Sequence, residues 1–318
     1  TINAIKLLKD NCFKVDIHIM PDLPGSNLEK DKLMFDKIIN SDLYQADQWK
    51  IYPCNVLEFT KIKEWYDSGD YKPYAESDFD GFFQLIIEVM KNIPPWIRIN
   101  RIQRDFPGNY IEGGNKYTNL RQMLDDYLKK NNLKSKDIRS MEIKNNYSTI
   151  SIIKLVRVDY KGSFDNDIFL SHKSCTCSIC FYYILYLCLS FLLDLFGIHY
   201  SYYGCGNEDK IYSFLRLRIN KNDYNNCFSD AYKNKGKIRE VHVYGRVNTT
   251  YSNNNIKSSQ HIGLGRKLIN EAEIISKNEG CNGMMIISGV GTRNYYRKLN
   301  YEIDYGLKNH GEFMIKEF

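Results

Sequence analysis

The feature that most constrains this chain is a change of rhythm near residue 140. Before it, strand-like and helix-like segments take turns. FKVDIHIM (13–20) is followed by the turn PDLPG and the helical LEKDKLMFDKIIN. WKIYP (49–53) then leads to helices over 61–68 and 78–93, and WIRINRI (96–102) is again strand-like. Strand alternating with helix is the pattern of a parallel sheet or barrel. About three such units are too few to close an eight-stranded barrel. After an amphipathic helix over 117–132, the segment DIRSMEIKNNYS (137–148) reads as a short linker strand. Strand-like runs then follow one another at 150–160, 167–171, 212–219 and 237–247. The helix GLGRKLINEAEIISKNEG comes next, with Leu264, Leu268, Ala272 and Ile275 on one face. MMIISG, the short helix RNYYRKLN and the strand EFMIKEF close the chain. The expected fold is therefore α/β in two parts, residues 1–140 and 141–318.

Composition narrows the classes. Of 318 residues, 43% are apolar and 26% charged, values that exclude wholesale disorder, collagen and a polytopic membrane protein. Lys and Arg exceed Asp and Glu by 44 to 38, a mildly basic balance without a polybasic tail. The nine cysteines are odd in number, and Cys12, Cys54, Cys227 and Cys281 stand alone. No secretory pattern opens the chain, so a reducing compartment is expected: the cytoplasm, with the nucleus second. Thr1 begins what reads as a helix already under way, as in a piece of a longer protein.

One segment does not fit. Residues 175–205 include a run from Ile179 to Ile198 with the single charge Asp194, long enough to cross a bilayer. Yet it separates two strands of one expected hairpin, which sets a membrane span against the topology. The alternatives are a lineage-specific apolar insert over about 172–206 or a translated intron, and the intron is preferred. Cys175, Cys177 and Cys180 form a CxCxxC in this segment that invites an iron–sulfur or zinc reading, but its position argues against a metal site.

The sharpest motif is Gln260-His261-Ile262-Gly263-Leu264-Gly265, between a strand and a helix. Glycines let backbone approach a pyrophosphate, and the helix start offers unpaired N–H groups. The bland alternative is a tight turn. Before the motif, EVHVYG (240–245) reads as a strand whose backbone can hydrogen-bond an extended ligand. After it, in GVGTRNYYRKLNY, a tyrosine is suited to protonate a departing thiolate. Tyr295 and Tyr296 point about 100° apart on a helix, so only one can face a cofactor. Arg98, Arg101 and Arg104 lie in a basic-aromatic run, with Arg98 and Arg104 expected on one strand face. They read either as phosphate contacts for RNA or as arginines paired with carboxylates such as Asp105 and Glu112.

Q-x-x-G-x-G resembles the pyrophosphate loop of GCN5-related N-acetyltransferases. Six blocks, HIMPDLPG, DQWKIYPC, WIRINRIQRDFPGNYIEGG, REVHVYGRV, QHIGLGRKLINEAE and SGVGTRNYYRKLNY, together resemble the Elongator complex protein 3 family in that family's order. The resemblance implies the C-terminal part of a radical S-adenosylmethionine βα partial barrel, followed by an acetyltransferase α/β domain. It implies that acetyl-CoA serves to carboxymethylate C5 of the wobble uridine of tRNA, with tRNA and other Elongator subunits as partners and no membrane partner. It carries the acetyl-CoA contacts to Glu240, Val241, His242, Val243, Leu264, Gly265, Arg266 and Tyr296, with Tyr296 as the catalytic residue. Leu264 and Arg266 replace the family's usual Phe and Met, and Asn300 stands where Gly is usual. The family's [4Fe-4S] cysteines have no counterpart here, so the cluster and S-adenosylmethionine are not expected on this chain. The rival readings are a protein lysine acetyltransferase with Glu240 as base, and a non-catalytic remnant that binds tRNA or partner subunits.

Overall fold

The computed structural model describes residues 1–143, 152–175, 210–220, 227–245, 263–305 and 313–318. The apolar run 179–198, Cys177, Cys180 and the residues Gln260 to Ile262 lie outside the described residues.

The first part alternates as its rhythm predicts. Helix α1 (Ile2–Asp10) precedes β1 (Asp16–Ile19), α2 (Leu28–Asn40) and β2 (Gln48–Ile51). A short strand β3 (Val56–Leu57) leads to α3 (Lys61–Ser68), α4 (Tyr74–Ser77) and α5 (Phe79–Asn92), then to β4 (Arg98–Ile102), β5 (Ile111–Gly113) and α6 (Leu120–Lys130). Side chains cap the helix starts: Asn27 accepts from the Lys30 amide, and Asp78 from the Gly81 amide. Strands β1, β2 and β4 form a parallel sheet in that order, and β3 and β5 a separate antiparallel ribbon. One face of the parallel sheet buries Trp49, Ile51 and Ile99 against Phe35 of α2, Phe82, Ile86 and Met90 of α5 and Leu124 of α6.

A strand is expected over 137–148, but up to Met141 the link between the parts is helical, and residues 144–148 lie outside the described residues. Helix α7 (Ile138–Met141) is started by Asp137, whose carboxylate accepts from the Arg139 amide, and only Glu142 makes an isolated bridge to Ile211. The second part is an antiparallel meander, β6 (Ile152–Gly162), β7 (Asp165–Cys175), β8 (Ile211–Ile219) and β9 (Lys235–Val243). Helix α8 (Leu264–Asn278), β10 (Gly283–Ile287), α9 (Arg293–Arg297), β11 (Glu302–Ile303) and β12 (Phe313–Glu317) follow. They form one sheet in the order β11-β12-β10-β9-β8-β7-β6. Strand β7 runs to Cys175, paired with β6, so residues 172–175 belong to the sheet and not to the insert. Leu268, Ile269, Ala272 and Ile275 of α8 cover Leu215, Leu217, Ile238 and Met284 on one sheet face. No helix among the described residues is long and apolar enough to cross a membrane.

The other sheet face meets the first part through buried charge. Lys9 Nζ donates to Asp167 at 2.7 Å, with both side chains fully buried. Arg218 pairs with Asp10, Asp165 and Asp167, Arg239 forks onto Asp47, and Arg216 reaches Glu240 and the Trp96 carbonyl. Burial alone would raise the carboxyls of Asp10, Asp47 and Asp167. Arg218 beside Asp10, Arg239 beside Asp47 and Lys9 beside Asp167 reverse this and hold all three below the ordinary carboxylate value. Burial, with Lys267 nearby, lowers His172 to about 4, and its Nδ1 lies 2.8 Å from the Ser213 hydroxyl.

Acid should therefore act on stability through several groups. Between about pH 6.5 and 4 the unfolded chain protonates His172 while the folded chain does not, so the contribution of His172 falls as pH drops. His242, also lowered by burial, has the same sign, and Asp22, raised by burial to about 7, has the opposite one. Below about pH 4 the depressed carboxylates are protonated in the unfolded chain first, and a further loss begins. Relative to wild type, thermal melts of His172→Asn should lose less stability, or gain more, as pH drops from about 6.5 to about 4, and should show the same loss below about pH 4.

Candidate functional site

The site begins as a fork in the large sheet. Strands β9 and β10 pair in parallel only from Gly283 with Lys235 to Ile286 with Ile238, and β9 continues beyond to Val243. At that level β9 carries a bulge: Arg216 opposes Glu240 and Leu217 opposes Ile238, leaving Arg239 as the extra residue. The bulge turns Arg239 and Glu240, neighbours in sequence, toward the first part of the chain. Alternation then resumes. Val241 packs against the α8 core, His242 stacks on Phe214 and tilts against Tyr244, and Val243 joins Leu264. At the crotch, the Cys12 thiol donates to the Ile238 carbonyl at 3.1 Å, with the Met285 carbonyl 3.8 Å away.

Helix α8 starts beside the open arm of the fork. Gly263 sits at φ +74°, a left-handed geometry that favours glycine, and no side chain caps the helix start. Leu264 and Gly265 are buried, while Arg266 is exposed. A Cβ at Gly265 would lie 3.0 Å from the Tyr295 hydroxyl and 3.4 Å from Val243 Cγ2, so helix start, β9 and α9 converge there. The two tyrosines separate as their helical offset demands: Tyr295 is 42% exposed, whereas Tyr296 is 8% exposed in the core. Burial first, then Tyr295 and Cys12, push the Tyr296 hydroxyl up to about 12, so it holds its proton at neutral pH. Asn300 adopts φ +65°, the left-handed conformation that asparagine tolerates better than most residues.

Glu240 is not a free carboxylate. It accepts from Arg216 at 2.9 Å and from Lys14 at 3.1 Å. Burial would raise it, but these cations hold it below its ordinary value.

The three arginines do not act as one strip. A bulge at Asn100 in β4 and a left-handed Gln103 at φ +85° break the alternation that set Arg98 and Arg104 on one face. Arg98 is half-buried, donating to Glu142 at 2.6 Å and to the Tyr244 hydroxyl at 3.0 Å. Arg101 pairs with Asp105. Arg104 is exposed and lies over the rings of Tyr52 and Phe106.

Sequence reasoning missed the open face of the parallel sheet. Parallel sheets are usually covered on both faces. Here the face opposite the helices carries Asp16, His18, Gln48, Lys50 and Asn100, joined by Asn100 to Asp16 and Gln48 and by Lys50 to Asp16. The alternation D-I-H-I and Q-W-K-I was the available signal. Among the described residues no group of three or more His, Cys, Asp or Glu could hold a metal.

Comparison with known proteins bears on the whole chain. Residues 46–130 match the Radical_SAM C-terminal domain family. The tRNA uridine(34) acetyltransferase of Methanocaldococcus jannaschii is 35% identical over 95% of this chain and 50% of its own length. The Elongator complex protein 3 of Dictyostelium discoideum is 33% identical over 95% of this chain and 48% of its own. The solved structure of the archaeal Methanocaldococcus infernus Elp3 with an N-terminal deletion superposes at TM-score 0.77 and 33% identity, covering 100% of this chain and 66% of that one. The chain belongs to the Elongator complex protein 3 family. It spans about half the length of the curated relatives it matches. Within that family its fold is the C-terminal part of a radical S-adenosylmethionine domain followed by the forked acetyltransferase-type sheet.

The arginines should separate by stability. Arg98→Ala should cost about 2 kcal/mol in denaturant melts through its half-buried charged hydrogen bonds. Arg104→Ala should stay within about 0.5 kcal/mol.

Proposed function

We propose that this chain carries the acetyl-CoA part of a tRNA wobble-uridine carboxymethyl synthase. The observation that carries the reading is the convergence of the β9 fork, the uncapped glycine start of α8 and Tyr295 of α9 at Gly265. The open backbone of residues 240–243 would hold the pantetheine arm. Leu264, Gly265 and Arg266 would present amides and a positive helix end to the pyrophosphate. The names of the relatives, tRNA uridine(34) acetyltransferase and Elongator complex protein 3, support tRNA as substrate and a multi-subunit complex as setting.

In the proposed reaction water adds to the thioester carbonyl, the C–S bond breaks, the acyl carbon becomes a carboxylate and CoA leaves as a thiolate. A tyrosine of α9 gives that sulfur its proton: the family position assigns Tyr296, whose ring lies in the core, while Tyr295, with its hydroxyl beside Gly265, is the competing donor. Cys175 ends β7, and Cys177 and Cys180 lie outside the described residues, so the described residues offer no ligand set for an iron–sulfur cluster. Lysine acetylation through Glu240 fits less well, because its two cations leave the carboxylate a weak base. For tRNA phosphates, Arg104 is the best placed of the three arginines. Arg98 and Arg101 already neutralise carboxylates.

Acetyl-CoA hydrolysis measured with and without tRNA tests the reading. Stimulation by tRNA supports it, acetylation of a lysine peptide would favour the rival enzyme, and tRNA binding without hydrolysis would leave only a binding role. Gly265→Glu should abolish acetyl-CoA binding in calorimetry while thermal stability persists. Tyr296→Phe should slow thioester cleavage by about 10²–10⁴-fold with affinity nearly unchanged. Tyr295→Phe should leave cleavage near wild type, and the opposite pattern would reverse the assignment.

A further inference from the structure

The fork in the sheet is held from outside the sheet. Bulge and fork begin at the same residue, Arg239, whose side chain is fully buried and crosses to the first part of the chain. There Asp47 receives it as a two-pronged pair, Nη1 to Oδ2 at 2.5 Å and Nη2 to Oδ1 at 2.8 Å. Bidentate guanidinium–carboxylate pairs fix direction as well as distance.

Asp47 is itself immobilised. Its carboxylate accepts from the Val15 amide at 2.8 Å and its amide donates to the Val15 carbonyl. Its own carbonyl takes the Arg98 amide at 3.1 Å and Arg216 Nη2 at 3.2 Å. Thus Asp47 is tied to Val15 just before β1, to β4 and to β8 before it touches the bulge. The Cys12 thiol, also from the first part, meets the fork at its crotch.

On the reading that the fork takes acetyl-CoA, we propose that Asp47 is a positioning residue: by fixing Arg239 in the bulge, it sets the width of the pantetheine slot. The acetyl-CoA site is then completed by a residue of the radical-domain part, nearly two hundred positions away in sequence. A slot shaped by local strand pairing alone would ignore this residue.

The Asp10–Arg218 pair provides a matched control. It is buried in the same interface, but on β8 at the level of Lys237, away from the open arm of the fork. The full chain should be compared as wild type, Asp47→Asn, Asp47→Glu and Asp10→Asn. Asp47→Glu keeps the charge, and with it the fold, while displacing the guanidinium by a methylene.

Calorimetry should find acetyl-CoA affinity weakened about tenfold or more in Asp47→Asn and by an intermediate factor in Asp47→Glu. Asp10→Asn should stay within about twofold, despite a comparable fall in melting temperature. Amide hydrogen exchange at residues 239–243 should accelerate in both Asp47 variants and not in Asp10→Asn. This second readout does not need acetyl-CoA to bind, so a wild-type chain that ignores acetyl-CoA would overturn the functional reading and leave the clamp to be judged by exchange. Unchanged exchange in Asp47→Glu, or affinity and exchange altered equally in Asp10→Asn, would overturn the inference.

Discussion

The buried exchange of charge between the two parts governs the rest of the structure. Lys9, Arg216, Arg218 and Arg239 meet Asp10, Asp47, Asp167 and Glu240 where the side chains have almost no access to water. Such pairs contribute little net stability over apolar contacts, but breaking one strands its partner at a cost of about 3–5 kcal/mol. Their effect is to define a single alignment. An apolar interface could slide, whereas here each carboxylate has its own cationic partner, and Asp47 a two-pronged one.

That alignment reaches the site through Arg216 and Arg239. Arg216 holds Glu240 on one side and the carbonyls of Trp96 and Asp47 on the other. The arm of β9 that lies open beyond the fork is therefore indexed to β2 and β4. The polar open face of the parallel sheet, with Asp16, Lys50 and Asn100, is held in register with that arm by the same contacts. Arg98 adds a further tie, joining β4 to Tyr244 just past the strand end.

Much of this was legible in the sequence because the relevant patterns are local. The apolar face of α8, the glycines at its start and the spacing of Tyr295 and Tyr296 depend only on helical geometry. The start of the linker was misread because Ile138, Met141 and Ile143 suit a strand as well as a short helix. The Asp137 cap, which decides between them, is a single side chain. The end of β7 was misplaced because His172 and Ser174 are polar yet buried. FLRLRI in β8 alternates as a solvent-facing strand does, but its arginines face the other part of the protein. Alternation reveals two faces of a strand and says nothing of what covers each.

Helix α1 carries a consequence for synthesis. Lys9 and Asp10 find their partners at Asp167 and Arg218, 158 and 208 residues further along. At roughly 5–20 residues per second, the helix leaves the ribosome roughly 8–40 seconds before the residues that neutralise it exist. During that interval the Lys9 side chain, fully buried in the finished protein, lacks the carboxylate that pairs with it. An early-made segment is thus fixed late, and the interval is when a nascent chain of this kind most needs shielding.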